Sequence, residues 1–87
     1  MAGSARKPGL TAATVARAKP KTTDYKLSDR DGMYLLVKPS GTKYWRMNYR
    51  HFGSQRTVSF GRYPEVSLAE ARQRLIEARR LIADGID

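Results

Sequence analysis

Residues Lys43-Tyr-Trp-Arg-Met-Asn-Tyr-Arg50 alternate in character, and that alternation constrains the fold more than any other feature of the chain. Trp45, Met47 and Tyr49 fall on one side of an extended segment, and Tyr44, Arg46, Asn48 and Arg50 on the other. Successive side chains of a strand point to opposite faces, so one face can be buried while the other stays wet. Between Lys38 and Arg62 lie six basic residues, Lys38, Lys43, Arg46, Arg50, Arg56 and Arg62, and no acidic one. A strand that is merely half-buried normally mixes both charge signs on its wet face. This one is arranged to meet an anion.

The flanking turns give the strand its partners. Pro39-Ser-Gly41 suits a type I turn, with Pro fixing the first corner and Gly41 in the left-handed position. A three-residue loop there pairs Leu35 with Trp45 and Met33 with Met47. Gly53-Ser54 favours a II′ hairpin, which pairs Phe52 with Gln55, Arg50 with Thr57 and Asn48 with Ser59. Both registers put Met33, Leu35, Val37, Trp45, Met47, Tyr49, Val58 and Phe60 on one face, and a one-residue slip would mix the faces. Leu36 is left unexplained on the polar face.

Elsewhere the pattern is simpler. Thr11 can cap a short helix over 11–18, ended by Lys19-Pro20. Tyr25-Lys-Leu-Ser28 reads as a short strand, followed by the turn Asp29-Arg-Asp-Gly32. Gly61-Arg-Tyr-Pro64 is expected to break the last strand. Ser67 and Glu70 have capping-box spacing, and Leu68, Ala71, Leu75, Ala78 and Ile82 recur at helical spacing until Gly85. The expected class is α+β: a three-stranded antiparallel sheet covered by one C-terminal amphipathic helix, with a short N-terminal helix and arm. Residues 1–9, with Arg6 and Lys7, read as a flexible basic arm; residues 10–87 form the domain.

Composition narrows the function. A net charge of +9 on 87 residues points to a polyanion, nucleic acid ahead of a membrane surface. The absence of cysteine excludes disulfides and thiolate metal sites and fits a reducing cytoplasm. No stretch approaches the roughly 18 apolar residues of a membrane span. No cofactor, metal or catalytic constellation is expected. His51 is alone beside a turn, Asp29 and Asp31 suit Asx turns, and the five tyrosines lack the groups that phosphoryl transfer requires. Trp45 reads as core, and the helix arginines Arg72, Arg74, Arg79 and Arg80 as a solvated face.

A two-stranded ribbon or sheet fits the roughly 12 Å major groove of B-DNA, where Arg and Asn can read guanine and adenine edges. The expected base-reading set is Tyr44, Arg46, Asn48, Arg50, Thr57 and Ser59. Lys38, Lys43, Arg56 and Arg62, towards strand ends, are the expected phosphate contacts. A sheet with exposed aromatics can also bind single-stranded RNA, but only Tyr34 and Tyr44 are assigned to the open face. A peptide-binding module using Trp45 and exposed tyrosines is a further alternative.

With Leu10-Thr11, Ala18-Lys-Pro20, Lys26-Leu-Ser-Asp29, Gly32-Met-Tyr-Leu-Leu-Val-Lys-Pro-Ser-Gly41, Lys43-Tyr-Trp-Arg46, Tyr49-Arg50, Gly61-Arg-Tyr-Pro64 and Val66-Ser-Leu-Ala-Glu-Ala-Arg72 in order, the chain resembles the N-terminal arm-type DNA-binding domain of tyrosine-recombinase integrases from prophages and genomic islands. The likeness runs from Leu10 to Asp87. It implies a three-stranded sheet on a C-terminal helix, entering the major groove of double-stranded DNA at arm sites flanking an attachment site. It implies further that other integrase protomers and accessory factors are partners of the parent protein. The family's catalytic arginines, histidine and tyrosine belong to a C-terminal domain and have no counterpart here, so the chain is expected to be a non-enzymatic piece of a longer recombinase. A bacterial cytoplasm, at the nucleoid, is the implied location.

Overall fold

The computed structural model describes residues 9–85. The arm expected over 1–9 therefore lies outside the described residues except for Gly9. In chain order the elements are α1 (Ala12–Arg17), β1 (Tyr25–Ser28), β2 (Met33–Val37), β3 (Lys43–His51), β4 (Ser54–Tyr63) and α2 (Leu68–Ala83). The class is α+β as expected, but the sheet has four strands, not three, in the antiparallel order β1-β2-β3-β4. The extra strand is Tyr25–Ser28, whose four pairs with β2 make β2 an interior strand. All five residues of β2 are then buried. Leu36 sits between Lys26 and Tyr44 on the open face. Long amphipathic side chains can cover such a residue with their stems while their polar ends stay wet.

The first hairpin has the expected register, Leu35 with Trp45 and Met33 with Met47. Its turn is closed by the Gly41 N–H donating to the Lys38 carbonyl, with Gly41 at φ 95°. The second hairpin differs. Its turn residues are Phe52 and Gly53, both at positive φ, so it has I′ character rather than II′. Asn48 accordingly pairs with Thr57, Arg50 with Gln55 and Met47 with Val58, a shift of two from the expected pairing. A two-residue shift keeps every side chain on its face, which is why the predicted faces survive the change.

Gly61 does not break β4. It forms a bulge opposite Trp45, and the strand continues to Tyr63. A Cβ at Gly61 would lie 2.7 Å from Val66 Cγ2, and its φ is 114°. Only glycine allows this approach without strain. The bulge lets the chain fold back so that Trp45 Nε1 donates to the Val66 carbonyl at 2.7 Å.

One core forms beneath the sheet from Leu10, Val15, Met33, Leu35, Val37, Trp45, Met47, Phe60, Val66, Ala71 and Leu75. Tyr49, Val58, Leu68, Ala78 and Ile82 pack at its margin. Helix α2 has the expected capping box: Ser67 Oγ accepts from the Glu70 N–H, and the Glu70 carboxylate accepts from the Ser67 N–H. Thr11 caps α1 as expected. Among the described residues no helix is long and apolar enough to cross a membrane.

Candidate nucleic-acid interface

Residues paired across strands share a face. Tyr44 stands beside Leu36, Lys26 and Arg62; Arg46 beside Tyr34, Ser28 and Ser59; Asn48 beside Thr57; Arg50 beside Gln55. The structure thus brings Tyr44, Arg46, Asn48, Arg50, Thr57 and Ser59 onto the face turned away from both helices. None of the four strands contains an acidic residue. Arg46 lies over the Tyr44 ring at 5.4 Å, and Arg50 donates to the Gly53 carbonyl at 3.2 Å.

Asn48 is the most constrained member. Its Oδ1 accepts from Tyr34 OH at 3.1 Å and from Thr57 Oγ1 at 2.9 Å. Its backbone N–H donates to the Gly32 carbonyl at 3.1 Å, and a Cβ at Gly32 would come within 2.6 Å of the Asn48 carbonyl. Backbone and side chain are both held. Beside it opens a cleft of about 450 Å³ with Lys26, Arg30 and Tyr34 on its walls. Its two aspartates are already engaged, Asp29 by Arg72 and Asp31 by Arg79.

The expected phosphate set does not stay together. Arg62 is on the open face, bridged to Glu65 at 3.1 Å, and Lys38 bridges Asp24 at 3.1 Å at the β2 end. Exposed pairs of this kind contribute little and can be exchanged for a phosphate. Lys43, at the start of β3 as expected, is on the opposite, helix-bearing face. Its Nζ donates to the Val15 and Ala16 carbonyls at 2.9 and 3.4 Å, serving the C-terminal end of α1. A cation there complements the helix dipole. Arg56 pairs with Tyr49 and so projects from that same opposite side of the second hairpin.

Two further residues belong to the open face. Lys26, 4.7 Å above the Tyr34 ring, joins this face because β1 is part of the sheet, which a three-stranded sheet does not predict. Tyr34, expected as an open-face aromatic, is only 7% exposed and donates through its hydroxyl to Asn48. The helix arginines are also not simply solvated. Arg72 forks onto Asp29, with Nε at 3.0 Å from Oδ2 and Nη2 at 2.7 Å from Oδ1, and Arg74 donates to the Phe60 carbonyl at 2.9 Å. Asp29 also accepts from the Leu10 N–H at 2.9 Å. Burial by itself would raise the Asp29 pKa, but the Arg72 and Leu10 hydrogen bonds, with the Arg72 and Arg30 charges, hold it below its ordinary 3.8. No signal links these residues in sequence, since Asp29 and Arg72 are 43 positions apart.

Comparison with known proteins points the same way. The arm DNA-binding domain family matches residues 10–87. The chain is 45% identical over 80 residues to the integrase of Enterobacteria phage P4, covering 90% of this chain and 18% of the relative. It is 49% identical over 80 residues to the prophage integrase IntA of Escherichia coli, covering 90% and 19%. The integrase of Shigella phage Sf6 is 41% identical over 78 residues, covering 90% and 20%. The chain therefore spans about a fifth of the length of these relatives. A basic four-stranded sheet, helices confined to one side and this match over nearly every described residue place the chain in the arm DNA-binding domain family.

Proposed function

We propose that the chain binds duplex DNA arm sites sequence-specifically, with the open face of its sheet in the major groove, as the N-terminal module of a mobile-element recombinase acting in the bacterial cytoplasm. Catalysis, other protomers and accessory factors belong to the parent protein. The observation that carries this reading is the convergence of Arg46, Asn48, Arg50, Thr57 and Ser59 on one face clear of both helices, from strands that contain no acidic residue. Arg46, Asn48 and Arg50 recur every second residue, about 7 Å apart, so they can address neighbouring base pairs. Lys38 and Arg62, released from their carboxylates, and Lys26 would hold phosphates. Arg56 reaches DNA only if the second hairpin is flanked on both sides.

The alternatives fare worse. Burial of Tyr34 leaves Tyr44 alone as an open-face aromatic, too little for a single-strand stacking platform. Trp45 is fully buried and offers nothing to a peptide.

The test is paired binding of wild type and Arg46→Ala to cognate arm-site and scrambled duplexes at fixed salt. The cognate site should lose roughly 1–3 kcal/mol and the scrambled duplex less. Arg46→Lys should also lose affinity, since a point charge cannot make the two-pronged contact. Equal losses on both duplexes would mean that the face holds DNA without reading it.

A further inference from the structure

Asn48 need not read what asparagine usually reads. The familiar pairing with adenine needs the amide to accept from N6 and donate to N7. Here Oδ1 already accepts two hydrogen bonds, from Tyr34 OH at 3.1 Å and Thr57 Oγ1 at 2.9 Å. An amide oxygen has two lone pairs, so its capacity is filled, and only the two Nδ2 hydrogens remain for a ligand. The opposite amide orientation would make a phenol and a hydroxyl accept instead. A phenol oxygen shares its lone pair with the ring and is the better donor, so the observed orientation is the favoured one.

The two flanking arginines carry the same polarity. Arg46 and Arg50 hold guanidinium groups with N–H donors and no acceptor. Tyr34 and Thr57 have spent their hydroxyl hydrogens on Asn48, so neither competes with it as a donor to the base. Resting on the sheet-face reading above, we infer that Asn48 and the two arginines beside it offer donors alone, and that the base opposite Asn48 is one whose edge presents acceptors alone: guanine, through O6 and N7, ahead of thymine with its single O4, and in preference to adenine or cytosine, whose amino groups would meet a second donor. Tyr34 and Thr57 are then positioning residues that set base specificity without touching the base.

The experiment is selection from a duplex library with a randomised segment, using the full chain as wild type, Asn48→Ala, Tyr34→Phe/Thr57→Val, and Thr57→Ser. Asn48→Ala identifies the position in the selected site that Asn48 reads, as the column that loses its preference. In wild type that column should favour guanine over adenine by on the order of tenfold. Removing both hydroxyls frees Oδ1 to accept, and the column should shift towards adenine. Thr57→Ser keeps the donor and should keep guanine. Thermal melting checks that the variants fold; should the double variant unfold, Thr57→Val alone, at an exposed position, must still weaken the guanine preference.

A wild-type column of adenine, cytosine or thymine, or a preference unmoved by loss of the hydroxyls, would overturn the inference and leave the sheet-face reading intact. So would an enriched site on which Asn48→Ala has no effect. No enriched site at all would overturn both.

Discussion

At the scale of single residues, the Asp29–Arg72 ion pair ties α2 to the turn that borders the cleft beside Asn48. Asp29 has no exposed side-chain surface, and Arg72 supplies both prongs of its charge partner. Arg72→Ala would strand a buried carboxylate and should cost about 3 kcal/mol in denaturant unfolding. Adding Asp29→Asn to that variant should recover part of the loss. The same pair sets a pH dependence. The unfolded carboxyl titrates near 3.8 and the folded one lower, so its contribution is full well above that value. It is lost as pH falls below about 3.8 through the folded pKa, and a stability profile of Arg72→Ala should be flatter there than wild type. Phe52 is the opposite case. It is 96% exposed with φ 50°, a backbone state that asparagine and glycine adopt more readily. Phe52→Asn should therefore raise stability by about 1 kcal/mol in thermal unfolding. A loss would show that its ring contact with His51, at 4.5 Å, matters more than the backbone.

At the scale of elements, the bulge in β4 joins the sheet to α2. Gly61→Ala would force a Cβ against Val66 and strain a φ of 114°. The expected cost is about 2 kcal/mol, because the Trp45–Val66 hydrogen bond beneath it would also be displaced. Tryptophan fluorescence of the folded variant would report that displacement by a red shift. The second hairpin is an element of another kind. Beyond Met47, strand β3 has no β2 partner, so apart from the Asn48–Gly32 hydrogen bond the backbones of Asn48–His51 and Ser54–Thr57 pair with each other. Such a ribbon carries Arg50 and Arg56 clear of the core, and two strands fit the width of a major groove.

At the scale of the whole molecule, charge is sorted by face. The helix-free side presents Lys26, Arg46, Arg50 and Arg62, while Lys43 is committed to α1. Neutralising about four phosphates gives a log–log salt slope on the order of −3 to −4. Lys26→Ala should flatten it by about one. Lys43→Met should instead lower stability by about 1 kcal/mol through loss of the helix cap, with the slope of the folded protein unchanged. Equal flattening by both variants would put Lys43 back among the phosphate contacts.

The sequence by itself determined the two faces of β3 and the buried stripe of α2, because strand and helix periodicities act over a few residues. Alternation assigned both faces of β3, and the Ser67–Glu70 cap with its apolar stripe located α2. Family membership was legible for the same reason, in an ordered run of local motifs. Three things were decided only by tertiary structure. Strand β1 needed β2 beside it before four weakly patterned residues became part of the sheet. The hairpin register depended on whether Phe52 would accept a left-handed backbone, which local propensity argues against. The roles of Lys43, Asp29 and Tyr34 depended on partners 14 to 43 positions away. A hydrogen bond is directional and short, so a residue's charge is readable in sequence, but the group it serves is fixed only when the chain has folded.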